Sequence, residues 1–195
     1  MHLRARRHWI FDLDGTLTLA QHDFEAIRRD LGLAAGRPIL EQLAAMPVAE
    51  AAPIHAELER IEEHLAKEAE PAPGAASLLE DLHRTGMRLG ILTRNKRRLA
   101  HIALNATGLA RYFETDVVLG RDEAAPKPAP DGVQRILQTW GADPSDAVML
   151  GDYLFDLQAG RNAGTASVLV DPLDRGAEWG EWFDRRVMSL NELLT

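Results

Sequence analysis

The chain has 195 residues, of which 46% are apolar and 27% charged, and a formal net charge of −8; this size predicts a main domain with a modest insertion rather than two full domains. It has no cysteine, which excludes disulfides, thiolate metal sites and a cysteine nucleophile and leaves oxygen or imidazole to hold any metal. The acidic balance argues against a nucleic-acid partner, because the basic clusters Arg4/Arg6/Arg7 and Lys96/Arg97/Arg98 are short and far apart in the sequence.

No apolar run is long enough to cross a bilayer, and Asp12 interrupts the apolar stretch Trp9-Ile10-Phe11 that follows the basic start. The expectation is a cytoplasmic protein with no membrane partner. Residues 8–13 (HWIFDL) are apolar and β-prone and run into Asp-Gly, the pattern of a buried strand entering a loop. Residues 19–73 then carry only helical patterns: Phe24/Ile27/Leu31 closed by Gly32, Ile39/Leu43/Met46, and Ile54/Leu58/Ile61/Leu65. They end in Pro71-Ala72-Pro73-Gly74, a stiff segment followed by a permissive one, which suits a hinge.

Beyond the hinge, short apolar runs at 87–93, 116–119, 147–151 and 167–170 alternate with amphipathic stretches centred on Leu78/Leu79/Leu82, Leu99/Ile102/Ala103 and Val133/Ile136/Leu137. Alternation of this kind predicts an α/β fold, a Rossmann-like parallel sheet with helices on both faces. Its core comprises residues 1–18 and 74–195, and a small all-α cap at 19–73 is inserted after the first strand. Sites in such sheets lie beyond the carboxyl ends of the strands.

Four signals fall at those ends. Asp12-Leu13-Asp14-Gly15-Thr16 places two carboxylates either side of one residue, so that Asp12 can attack while Asp14 reaches a leaving group. Thr93 ends a strand and precedes Arg94-Asn95 and a cationic helix start; its hydroxyl and the next backbone N–H can hold a phosphate oxygen, with Arg94 beside them. Lys127, between Pro126 and Pro128, can neutralise charge on a phosphoryl group. Asp152 and Asp156, four apart at a helix start, can hold a hard cation or order its waters. Each signal taken alone has an ordinary structural alternative: an Asp-rich turn, a helix N-cap, a solvated lysine, and first-turn acids favoured by the helix dipole.

Together, in order and spacing, they resemble the signature motifs of the haloacid-dehalogenase-like superfamily, specifically its phosphatase branch, over the chain from Trp9 to about Leu169 outside the cap. The resemblance implies a phosphoric monoester hydrolase that acts through a phosphoaspartate on Asp12. It also implies magnesium held by Asp12, the backbone carbonyl of Asp14 and Asp152, with Asp156 behind them or as an alternative ligand. The insertion resembles the small helical cap of phosphoglycolate-phosphatase-like and β-phosphoglucomutase-like members, which implies a small-molecule phosphate ester as substrate. Many of those relatives have an acidic or amide residue in place of Thr18. A phosphosugar mutase and a catalytically silent binding protein of the same fold are the alternatives, and the retention of every charged site residue weighs against the second.

Arg37, in Ala35-Gly36-Arg37-Pro38 between two cap helices, is a candidate to reach from the cap toward the untransferred end of the substrate. His22, His55, His64 and His101 lack ligand spacing with one another, and Trp179 and Trp182 suit packing of the last segment or a partner chain better than ligand binding.

Overall fold

A computed structural model describes residues 3–21 and 23–194, so His22 lies outside the described residues. Among those described, six strands form one parallel sheet: β1 (His8–Phe11), β2 (Arg88–Leu92), β3 (Val118–Leu119), β4 (Ala147–Gly151), β5 (Ala166–Val170) and β6 (Arg185–Val187), in the order β3-β2-β1-β4-β5-β6. The expected α/β architecture is what the chain adopts. The helices α4 (Ala75–Arg84), α5 (Arg97–Ala106), α6 (Asp131–Trp140) and α7 (Leu154–Ala163) connect and cover the strands.

Strand residues alternate between two apolar clusters because side chains point to opposite faces with period two. Trp9 and Phe11 of β1 and Val148 and Leu150 of β4 join Leu78, Leu79 and Leu82 of α4 and Leu99 and Leu104 of α5 in one cluster. Ile10 and Met149 face the other way, onto Val133, Ile136 and Leu137 of α6 and Ala159 of α7. Burial on both faces is why these strands read as unbroken apolar runs. The run at 116–119 is only half strand: Thr115–Val117 is a 3-10 turn, and Val118–Leu119 alone pairs with β2.

Residues 24–67 fold as α1 (Phe24–Asp30), α2 (Ile39–Ala44) and α3 (Val48–Lys67), around a third cluster of Ile27, Leu31, Leu33, Ile39, Leu43 and Leu58. The chain leaves for these helices and returns from them side by side. Thr18 bridges antiparallel to Pro71, Leu19 N–H donates to the Glu70 carbonyl at 2.9 Å, and Ala72 N–H donates to the Leu17 carbonyl at 2.8 Å. Thr18 is buried there, and its hydroxyl donates to the Leu13 carbonyl at 3.2 Å. α3 packs along α5, with Glu62 bound through both carboxylate oxygens to Arg121 at 2.8 and 2.9 Å. Among the described residues no helix is long and apolar enough to cross a membrane.

Candidate active site

The strand order reverses between β1 and β4, and in open parallel sheets the crevice at such a reversal is where ligands bind. Asp12 follows β1 directly, and its N–H donates to the Leu150 carbonyl of β4 at 2.8 Å, which fixes the residue at the strand's carboxyl end. The next turn folds back on itself: the N–H groups of Leu17 and Thr18 both reach the Leu13 carbonyl at 3.0 Å. Gly15 has φ +93°, and a Cβ there would lie 2.6 Å from Asp152 Oδ2. Glycine therefore allows both the left-handed turn and the close approach of the β1 loop to the β4 loop. Gly151 serves similarly, since its Cβ would fall 2.1 Å from that of Asp156.

Lys127 comes from the loop between β3 and α6 and is 2% exposed. Its ammonium donates to Asp12 Oδ1 at 2.5 Å and to the Leu92 carbonyl at 2.8 Å, and it lies 2.6 Å from Asp156 Oδ1. An ammonium has three protons, and here all three have acceptors. Burial opposes its charge, but Asp12 and Asp156 outweigh that and raise its pKa. The lysine is thus a fixed cation on the candidate nucleophile. Asp156 Oδ2 accepts from the Tyr153 N–H at 3.0 Å, so this carboxylate holds both Lys127 and the first turn of α7.

Asp12, Asp152 and Asp156 each present a carboxylate oxygen within 4.8 Å of the other two, a set able to hold a metal ion. The donors are all oxygen, which fits a hard cation. Burial, with repulsion from Asp156, Asp152 and Asp14 against the pull of Lys127, holds the Asp12 carboxyl well above its ordinary pKa. Burial first and then Asp156 push Asp152 up to about 7. Asp12, Asp14, Asp152 and Asp156 set four carboxylates against one ammonium, a charge balance that suits a further cation. The carboxylate of Asp14 stands outside the set of three and accepts from the Thr93 hydroxyl at 3.4 Å.

Thr93 also receives the Asn95 N–H on its hydroxyl oxygen at 3.0 Å, which orients it at the end of β2 beside Asp14. Arg94 bonds to none of these carboxylates. Its Nη1 donates to the Lys127 carbonyl at 2.5 Å, its guanidinium lies 4.8 Å over the Phe155 ring, and its Nη2 donates to both oxygens of Glu41 on α2 at 2.7 and 2.8 Å. Arg37 is exposed, and among the described residues its backbone carbonyl is engaged by Arg28 and Gln42 while its guanidinium bonds to none of them. The geometry therefore gathers Asp12, Asp14, Thr93, Lys127, Asp152 and Asp156, and it does not bring Arg37 to them.

Sequence reasoning missed Glu41 and Phe155. Glu41 stands on the polar side of a short amphipathic helix, where a carboxylate is usually solvated, and nothing local marks its partner 53 residues on. Phe155 lies inside the Asp152–Asp156 motif and was available as the apolar neighbour of a polar site.

The chain matches the haloacid dehalogenase-like hydrolase family over residues 9–170. It is 36% identical over 189 residues to a phosphoglycolate phosphatase of Caulobacter vibrioides, covering 82% of this chain and 77% of that protein. It is 40% identical over 100 residues to the pyrophosphatase PpaX of Bacillus velezensis, a match that spans 51% of this chain and about half, 46%, of that protein. An N-acetylmuramic acid 6-phosphate phosphatase of Pseudomonas aeruginosa is 29% identical over 196 residues, covering 88% of this chain and 86% of that one. Among solved structures, CbbY from Rhodobacter sphaeroides in complex with phosphate superposes with a TM-score of 0.75 at 25% identity, covering 96% of both chains. A hydrolase from Pseudomonas syringae gives 0.80 at 22%, covering 97% of this chain and 96% of that one. With the fold, the four motifs and this match over most of its length, the chain belongs to the haloacid dehalogenase-like hydrolases.

Proposed function

We propose that the protein is a magnesium-dependent phosphatase of a small phosphorylated metabolite and works through a phosphoaspartate on Asp12. The observation that carries this reading is the buried Lys127 ammonium lying between Asp12 and Asp156, with the Asp152 carboxylate beside them at the reversal of the sheet. A carboxylate forced toward its neutral form by burial is a poor nucleophile, and the ammonium on its oxygen works against that by favouring the ionised form that attacks. Magnesium held by Asp12, Asp152 and the backbone carbonyl of Asp14 would supply further positive charge against the phosphoryl oxygens. Asp156, with both oxygens already engaged, serves chiefly to hold Lys127.

In the first step an Asp12 carboxylate oxygen bonds to phosphorus, the ester P–O bond breaks, and the departing alkoxide takes a proton from the Asp14 carboxyl. In the second step water attacks phosphorus, Asp14 removes its proton, and the acyl-phosphate P–O bond breaks to free Asp12 and inorganic phosphate. Lys127 and the Thr93 hydroxyl balance the charge on the nonbridging oxygens. Residues 19–73 act as a cap over a core formed by 1–18 and 74–195 and exclude bulk water and large substrates. The names of the relatives, a phosphoglycolate phosphatase and an N-acetylmuramic acid 6-phosphate phosphatase, support a small ester as substrate.

The test is phosphate release from phosphoglycolate, sugar phosphates, nucleotides and pyrophosphate, with magnesium and with chelator, alongside mass measurement of acid-quenched protein. Magnesium-dependent release with a phosphoryl adduct on the Asp12 peptide is expected. Isomerisation of a sugar phosphate without phosphate release would make it a mutase, and no activity on any ester would overturn the reading.

A further inference from the structure

We infer that Glu41 is a specificity-determining residue that acts through Arg94: it occupies, on the Arg94 guanidinium, the place that a second anionic group of the substrate takes up. The inference rests on the phosphatase reading above and names the class of ester, one whose leaving group carries a carboxylate or a further phosphoryl group. Three partners fix Arg94, and two of them come from the segments that carry Lys127 and Asp156. Its Nη1 binds the carbonyl of Lys127, and its planar face covers Phe155, the neighbour of Asp156. Thr93 precedes it in the chain. The guanidinium is thereby held at the rim of the site by contacts that do not satisfy its charge.

The third partner, Glu41, is of a different kind. It stands on α2, a helix of six residues in the cap, and its side chain is 47% exposed. Both of its oxygens share the single nitrogen Nη2, which is weaker than the two-nitrogen fork a guanidinium makes with a well-set carboxylate. An exposed pair of this sort contributes little to stability. The buried Glu62–Arg121 pair, with side chains 11% and 8% exposed, ties the cap to the core far better. Glu41 is therefore not needed to hold the cap down. What it does is neutralise a preset guanidinium with a carboxylate that can leave, and an anion on a substrate bound at Asp12 is what would replace it. A substrate with a neutral tail meets Arg94 already neutralised and gains nothing from it.

The test uses two phosphonates of nearly equal size, 3-phosphonopropionate with a carboxylate tail and propylphosphonate with a methyl, titrated by calorimetry into the full chain with magnesium. The native protein should prefer the carboxylate. Glu41→Gln, which removes the internal competitor, should raise that preference by about 3–10-fold, and Arg94→Gln should bring the ratio close to one. Turnover of esters with matched tails should show the same ratios in KM rather than in kcat. A plain cap latch predicts the reverse for Glu41→Gln, a loss for both ligands alike, and that outcome or an unmoved ratio overturns the inference while leaving the phosphatase reading intact. Because Glu41 is exposed, its variant decides the matter even if Arg94→Gln fails to fold. If neither phosphonate binds the native protein, the phosphatase reading falls and this inference with it.

Discussion

At the scale of single residues the site is a problem in electrostatics, with buried carboxylates crowded around one ammonium. Asp12→Asn should abolish phosphate release, to under about 1% of native, because an amide cannot attack phosphorus. The same change removes a carboxylate that burial and three neighbouring acids destabilise, and Lys127 keeps Asp156 and the Leu92 carbonyl, so the fold should weaken little. Urea denaturation beside the assay separates the two effects, and a loss of activity that tracked unfolding would contradict the role given to Asp12. Asp152 adds a pH dependence whose sign is fixed. Its carboxyl is near 3.9 unfolded and raised to about 7 in the metal-free fold, so the folded state binds the extra proton. The favourable contribution is complete below the unfolded value and is lost as pH rises through about 7. Denaturation in chelator should therefore show stability falling between about pH 4 and 7, with less of a fall in Asp152→Asn and with magnesium present. A profile shared by native and variant would refute the assignment.

Single elements show which contacts hold the cap. α3 lays Glu59, Glu62 and Glu63 against Lys96, Arg98 and Arg121 of the core. The magnitudes differ with exposure. Arg121→Ala leaves Glu62 buried without its partner and should cost about 3 kcal/mol or more, whereas Arg98→Ala, at a side chain 52% exposed, should cost less than about 1 kcal/mol. Chemical denaturation of both variants checks the ordering, and equal costs would mean that the burial of Glu62 has no energetic consequence.

These elements also show what could be read in advance. The runs at 147–151 and 167–170 were legible because strands buried on both faces are apolar throughout, and the structure puts β4 at Ala147–Gly151 and β5 at Ala166–Val170. Arg185–Val187 was not, because an edge strand with two half-buried arginines has no apolar signature. The stripe Ile54/Leu58/Ile61/Leu65 marked α3 but not its start at Val48, since Pro53 interrupts the pattern in the second turn. The gathering of Asp12, Thr93, Lys127 and Asp152 followed from motif order. The Glu41–Arg94 pair could not, because it depends on how the cap sits on the core.

At the scale of the whole molecule, the chain leaves for the helices of residues 24–67 and returns through one narrow ribbon, which on the proposed division into cap and core predicts that the core folds without them. Leu17 to Leu19 and Glu70 to Ala72 pair antiparallel, with Thr18 opposite Pro71. The third apolar cluster takes its buried residues from Ile27 to Leu58, whereas of the buried residues in the cluster that holds Leu99, Ala100, Ala103 and Leu104 of α5, Ala66 alone comes from these helices. Replacing residues 20–69 with Asn-Gly should therefore close the ribbon with a two-residue hairpin turn and leave the sheet and its four helices intact. The shortened protein loses the partners of Lys96, Arg98 and Arg121, so it should unfold cooperatively but at lower denaturant than the native chain. Its site keeps Asp12, Asp14, Thr93, Lys127 and Asp152, and it should still release phosphate from an unselective aryl phosphate with magnesium. What it should lose is discrimination: kcat/KM on the best natural ester should fall by about 10²-fold or more relative to the aryl phosphate, if, as proposed, the cap excludes water and contacts the leaving group. Cooperative unfolding with retained discrimination would place specificity in the core, and a chain that cannot fold would show that the helices of residues 24–67 are part of its stability rather than a lid upon it.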